Sequence, residues 1–215
     1  MKKIKILLAL SWFDKLNYLS NYYWKFKTQF YYQPFFNKIG RGSVIRNPLL
    51  LSNTNYISIG KQVFIRDGAR IEVIKNSQKK PLLQIGDNTN IEQSAHIICH
   101  SKILIGKNCS ITGFCCIVDV NHPYDDIDDT RKIGLRIDNS DSFIEIGDNC
   151  FLGFRTTIMP NVKLGNNCVV GANTLITKSF PAYSVIAGNP AKMIKRYDLD
   201  KKMWKKVDSN ENFIE

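Results

Sequence analysis

The amino-acid sequence predicts an all-β solenoid, a parallel β-helix of short strands stacked coil upon coil. Three observations predict it. Ile146, Leu152, Ile158, Leu164, Val170 and Ile176 recur at steps of six, and Gly147, Gly153, Gly165 and Gly171 follow four of them. Ile59, Ile65 and Ile71 keep the same beat, as do Ile85, Ile91, Ile97 and then Ile105, Ile111, Ile117. Gly147 and Gly165, Asn149 and Asn167, and Cys150 and Cys168 each lie 18 apart, three hexads to a coil. Neither the 3.6-residue helical period nor the two-residue strand period requires a step of six. A solenoid does, because each short strand turns one aliphatic side chain inward and only the next coil can shield it. Ile and Val suit these positions, being stiff in extended backbone.

The elements follow in order along the 215 residues. Residues 1–38 form an aromatic and basic segment, read as one or two helices ending near Pro34. Its opening, Lys2-Lys3-Ile4-Lys5 before Ile6-Leu7-Leu8-Ala9-Leu10, resembles a signal peptide superficially. The apolar stretch is short, Asp14 and Lys15 interrupt it, and no small-residue cleavage site follows. It also falls well below the roughly 20 residues that span a bilayer. Aromatics alternate with lysines from Trp12 to Tyr32, which suits either an interfacial helix in peripheral contact with an anionic membrane or a helix packed on the solenoid or a neighbouring subunit. Residues 39–197 carry the β-helix. Gly60 to Gly86 exceeds a coil by eight, a surplus assigned to a loop at Lys75–Pro81, and Gly86 to Gly106 implies a smaller bulge. Gly106 to Gly147 spans 41 residues, read as two coils plus five, with a protruding loop at 119–142. Ser179-Phe180-Pro181-Ala182 breaks the rhythm, and residues 198–215 are expected to form a short basic helix and a tail.

Thirty Lys and Arg against nineteen Asp and Glu give a net charge of +11, concentrated near both termini. Such an excess favours anionic partners: phosphorylated cofactors, lipid head groups or nucleic acid. No nucleic-acid reading module is recognisable and flat solenoid faces enter no groove, so nucleic acid is not an expected partner. The six cysteines show no zinc-pair spacing and read as small buried thiols, reduced in a cytoplasmic protein.

Loops leaving a rigid scaffold are where chemistry is mounted, and His122 stands in the one such excursion that carries a histidine. An imidazole can take the proton of a hydroxyl or amine as it attacks a carbonyl; a surface or capping histidine is the plainer alternative. Asp119, Glu92, Asp125 and Glu145 are candidates to orient it, while Ser94 or Gln93 could orient an incoming group. His96 and His100 give no metal-ligand pattern, so no metal is expected. There is no GxSxG elbow, and neither Cys115 nor Cys116 makes a convincing nucleophile. Further on, Ala187-Gly188-Asn189-Pro190-Ala191-Lys192 forms a tight turn followed by Lys195 and Arg196. Its backbone amides and cations suit phosphates, against the alternative of a solvated tail.

These repeats, the Asn121-His122-Pro123 loop and the Gly188-Asn189-Pro190-Ala191-Lys192 turn together resemble the hexapeptide-repeat acyltransferases, the left-handed β-helix family, over residues 39–197. The likeness is nearest the maltose, galactoside and polysaccharide O-acetyltransferases. The resemblance implies left-handed winding, a homotrimer with active sites between subunits, and acetyl-CoA as cosubstrate. It implies His122 as general base, Ser94, Asp119, Asn121 and Tyr124 around a sugar or glycan acceptor, and Ala172, Lys178, Gly188 and Lys192 on coenzyme A. One departure stands out: galactoside-type enzymes have an asparagine one coil before the histidine, and counting back reaches Ser94 here. The aromatic-basic amino terminus is similar to that of enzymes acting on lipopolysaccharide or capsule, which implies an acceptor met in the cytoplasm or at the inner face of the membrane. An N-acetyltransferase of a nucleotide-linked amino sugar is the nearest rival reading and an inert β-helical scaffold a more distant one. Serine acetylation fits less well, since the extended helical domain expected of it is absent.

Overall fold

The computed structural model describes residues 11–75 and 80–214. The sequence-predicted loop at Lys75–Pro81 and the Lys2–Leu10 stretch therefore fall largely or wholly outside the described residues. Through Thr157–Ile158 strands enter three sheets in rotation, so that each pairs in parallel with the third strand after it. Face one holds Lys38–Ile39, Ile57–Ile59, Leu82–Ile85, Lys102–Ile105, Ile144–Ile146 and Val162–Leu164. Face two begins with Val44–Ile45, Phe64–Ile65, Asn90–Ile91, Ser110–Ile111, Phe151–Leu152 and Val169–Val170. Face three holds Leu50–Ser52, Arg70–Val73, His96–Cys99, Cys116–Val118, Thr157–Ile158 and Leu175–Ile176.

The register explains the hexads. Ile105 pairs with Ile146 and Ile146 with Leu164; Ile111 pairs with Leu152 and Leu152 with Val170; Ile117 pairs with Ile158 and Ile158 with Ile176. All of these side chains are buried and join one core. Each such aliphatic contributes about 1.5–3 kcal/mol when fully withdrawn from water. At the corner after face one, Asn88, Asn108, Asn149 and Asn167 all have positive φ, a region asparagine tolerates well. Their side chains form a ladder, Asn88 donating to Asn108 at 2.9 Å and Asn108 to Asn149 at 3.1 Å. Glycine precedes this corner for a steric reason: a Cβ on Gly106 would lie 2.6 Å from the Gly147 carbonyl carbon of the next circuit.

The cysteines serve the same stacking. Ser43 and Thr89 donate their hydroxyls to the carbonyls of Gly60 and Gly106, at 2.7 and 2.9 Å. Cys109, Cys150 and Cys168 continue that column, each thiol donating at 3.2 Å to the carbonyl of Gly147, Gly165 and Pro181 respectively. All six cysteines are free thiols, and burial pushes Cys99 and Cys115 away from the thiolate.

Two sequence expectations are corrected. Gly106 and Gly147 lie on adjacent circuits, since Ile105 pairs directly with Ile146. Their 41-residue separation is thus one circuit plus a single long excursion, not two coils plus five. The short basic helix expected at 198–207 is a β-hairpin. Face two continues with Ser184–Ala187, parallel to Val169–Val170, and then with antiparallel Lys192–Asp198 and Met203–Lys206. The Asp198 carboxylate closes the turn, accepting from the Asp200 and Lys201 amides at 3.1 and 3.0 Å, and the Tyr197 and Trp204 rings meet edge-on across the pair. An open sheet edge, an Asx turn and a cross-strand aromatic contact outweigh the helix propensity of the lysines.

At the other end, helix α1 (Trp12–Lys27) is capped by Ser11, whose hydroxyl accepts from the Asp14 amide at 3.1 Å. A π-helical turn at Thr28–Tyr32 and a 3₁₀ turn at Gln33–Phe35 deliver the chain to face one. Buried Thr28 seats the segment on the first circuit, its hydroxyl accepting from the Ile45 amide at 2.8 Å.

Candidate active site

The excursion leaves face three after Val118 and rejoins face one at Ile144. Its stem is polar. The Asp119 carboxylate is buried and accepts from the amides of His100 at 2.5 Å, Ser101 at 2.9 Å and Lys102 at 2.7 Å. Burial raises its pKa, opposed by those three bonds. Ser142 donates to the Asp119 carbonyl at 2.6 Å, and the Asp138 amide donates to the Asn121 carbonyl at 3.1 Å, so the two arms of the loop are tied.

Arg136 organises the rest. Its guanidinium donates to the carbonyls of Asp126 at 2.9 Å and Arg131 at 2.9 Å and also to that of Asp129. Asp129 in turn pairs with Arg131 at 2.7 Å, and the hydrogen bonds from Arg131 hold its carboxyl down at about 2. The carbonyl of Arg136 then reaches His122: Nδ1 lies 2.9 Å from it. A carbonyl can only accept, so Nδ1 carries the hydrogen, and in the neutral ring it is Nε2 that presents the lone pair. His122 is half-buried, with Asn121 and Tyr124 exposed beside it.

His122 therefore has an orienting partner, though none of the four acidic candidates. Asp119 is committed to three backbone amides, which also removes it from the acceptor site expected of it. Glu92 pairs with Arg66 at 2.6 Å, and Glu145 is held on face one by Lys102 and Lys163 at 2.7 and 3.3 Å. Asp125 is exposed. The sequence conceals the real partner because a main-chain carbonyl has no residue-type signature.

The remaining candidates sort onto the two margins of face three. At the trailing margin lie His122, Asn121 and, two circuits on, Lys178, which follows Leu175–Ile176 as the loop follows Cys116–Val118. Lys178 and Lys192 meet in a cavity of about 800 Å³ that Lys195 and Lys206 also line. Lys178 pairs there with Glu211 at 3.3 Å. At the leading margin lie Ser94, Ala172 and Gly188. The Phe114 amide donates to the Gln93 carbonyl, which sets Ser94 level with Phe114 and not with His122. Gly188 lies above Thr174 and Leu175, its carbonyl accepting from the Leu175 amide at 3.1 Å. Four strand residues separate the margins, about 13 Å at 3.3 Å each. Within one chain Ser94 thus stands on the margin opposite His122. Lys195 is among the cations that the sequence offers for phosphates, whereas Lys206 lies in the stretch expected to be helical, and only the hairpin aims it at the cavity. Among the described residues no three His, Cys, Asp or Glu side chains cluster to hold a metal ion.

Residues 143–178 match the family pattern described as bacterial transferase hexapeptide, six repeats. The chain is 30% identical over 168 residues to WbbJ of Escherichia coli K12, a protein named as a lipopolysaccharide biosynthesis O-acetyl transferase, with 76% of this chain and 84% of WbbJ covered. The chain belongs to the hexapeptide-repeat transferases. Its fold is shared with AntD, an N-acyltransferase from Bacillus cereus solved with dTDP and 3-hydroxybutyryl-CoA, at a TM-score of 0.61 and 17% identity over 79% of the transferase and 88% of AntD. A maltose O-acetyltransferase from Clostridium difficile 630 aligns at a TM-score of 0.51 and 23% identity, covering 77% of the transferase and 72% of its own chain.

Proposed function

We propose that this transferase moves an acetyl group from acetyl-CoA to a sugar hydroxyl during surface polysaccharide or lipopolysaccharide biosynthesis. The observation that carries the reading is the 2.9 Å contact between His122 Nδ1 and the Arg136 carbonyl, which supports the neutral tautomer whose basic atom is Nε2. Nε2 takes the hydroxyl proton as the acceptor oxygen attacks the thioester carbonyl. The C–S bond then breaks, coenzyme A leaves as thiolate, and the imidazolium returns the proton to it. Lys178, Lys192, Lys195 and Lys206 make a cationic wall suited to the phosphates of coenzyme A.

Left-handed winding and a homotrimer belong to the same proposal. The division of candidate residues between two margins of one face favours a cleft completed by a second subunit, in which Ser94 and the backbone at Ala172 and Gly188 meet the His122 margin of a neighbour. Exposed Tyr124, Ile127 and Leu135 on the loop favour a neighbour packed against it. WbbJ's name supports a hydroxyl acceptor in lipopolysaccharide, and free buried cysteines accord with a cytoplasmic setting.

The test is thiol release from acetyl-CoA over a panel of glycans and nucleotide sugars, with the product linkage read by mass spectrometry. Ester-linked acetyl is expected. His122→Ala should lower kcat by roughly 10²–10⁴-fold, with acetyl-CoA binding and assembly mass retained. An unchanged rate removes His122 as the base, and amide-linked product from an amino sugar replaces the acceptor by an amine.

A further inference from the structure

We propose that helix α1 docks the protein on an anionic lipid bilayer. No residue from Trp12 to Lys27 is buried in the fold. Trp12, Leu16, Leu19, Tyr23, Phe26 and Phe30 recur at alternating steps of four and three, which places them on one stripe of the helix. Their exposures run from 47% for Leu16 to 75% for Trp12, so the whole stripe faces solvent. Its Trp12 end points away from the coil, because at about 100° per residue Thr28, which is sunk against Ile45, lies on the opposite side from Trp12, while Phe26 and Phe30 at its other end border a recess beside the first circuits. Such a continuous aromatic surface is far more than scattered exposure on a soluble face.

Charge selects the occupant. Lys15 and Lys27 flank the stripe, and Lys25 stands behind it, against Asp14 alone on the helix. Between the helix and the first circuits lies a cavity of about 790 Å³, lined by Tyr22, Lys25, Phe26, Arg41, Lys61 and Asp87 among others. Lys25, Arg41 and Lys61 form no salt bridge among the described residues, and one Asp87 oxygen is taken by the Lys61 amide at 2.7 Å. Aromatic rings beside a cationic recess match the boundary between acyl chains and phosphate head groups. A helix–helix seam between copies also suits the four-three spacing, but it would gather the lysines of several helices without a counter-charge, whereas anionic lipid supplies one. No described helix is long and apolar enough to cross a membrane, so the contact is one of lying on the surface.

The experiment is flotation of the full chain with vesicles of phosphatidylcholine alone and of phosphatidylcholine with phosphatidylglycerol. Binding is expected on the anionic vesicles and not on the neutral ones, with a blue shift of tryptophan emission. Lys25→Glu with Lys61→Glu should weaken it by about tenfold or more, at roughly 1 kcal/mol per surface cation. Trp12→Glu with Phe26→Glu should abolish it, with melting temperature and solution mass unchanged; if that pair fails to fold, the charge-reversed pair and the emission shift decide. Failure of the unmodified chain to float with anionic vesicles overturns the proposal. So does indifference to the charge reversals, or a fall in solution mass in the aromatic variant, which would make the stripe a contact between copies.

Discussion

From Ile144 to Ile176 the chain buries an aliphatic side chain at every sixth position, and every strand but the two edge strands Val162–Leu164 and Leu175–Ile176 is flanked by two others in register. From Asp119 to Ser142, immediately before, only Asp119 and Val120 are buried, and order comes from backbone carbonyls gathered by Arg136 and amides gathered by Asp119. The coil is thus held by many small, equivalent apolar contacts, and the loop by a few polar bonds that cannot substitute for one another. Repetition gives the first region a rigid frame. Singular contacts give the second a defined position for one imidazole, at the cost of dependence on single residues.

The largest effect should follow from cutting into the coil. Ile111→Ala opens a cavity among fully buried neighbours and should cost about 2–5 kcal/mol in denaturant unfolding, while specific activity of the folded fraction is retained. Lys132→Ala, at an exposed position on the loop, should leave unfolding unchanged; equal losses from both would erase the distinction between the regions. A smaller effect should follow from Arg136→Ala. The loop then loses the group that gathers its carbonyls, and the acceptor for His122 Nδ1 shifts. Steady-state kinetics should show kcat falling by about ten- to a hundredfold, with KM for acetyl-CoA and the melting temperature held. A drop in melting temperature with kcat intact would instead make Arg136 a structural strut.

The smallest effect is acid loosening of the loop. Asp129 has a folded-state pKa lowered to about 2 by Arg131, below its unfolded value, so its contribution is present above the unfolded value and is lost as pH falls toward 2. Amide exchange in residues 126–136 should therefore accelerate below about pH 4 before that of the coil. Simultaneous acceleration in both regions would show that they do not open independently.

How much of this was legible follows from the same contrast. The hexads at Ile59, Ile85, Ile105 and Ile146 announce the coil because a repeated inward position needs the same kind of side chain every time. His122 could be singled out because it is the histidine in a polar interruption of that rhythm. The Arg136 carbonyl could not, since any residue supplies one. Asp119 was misassigned for a related reason: its neighbours along the chain suggest chemistry, but its partners come from His100–Lys102 on the preceding circuit. The hairpin at Lys192–Lys206 was hidden because a sequence rich in lysine carries no record that an unpaired sheet edge awaits it.

That hairpin has a wider consequence. Ser184–Ala187 is the last strand to run with its neighbours, and Lys192–Asp198 reverses direction upon it. The outermost strand is only four residues long and ends in Lys205 and Lys206. A stack of parallel rungs would otherwise expose a template on which the next molecule could continue the pattern and polymerise into a filament. On face two the reversal of direction turns that template aside, since the last strands no longer offer a parallel rung.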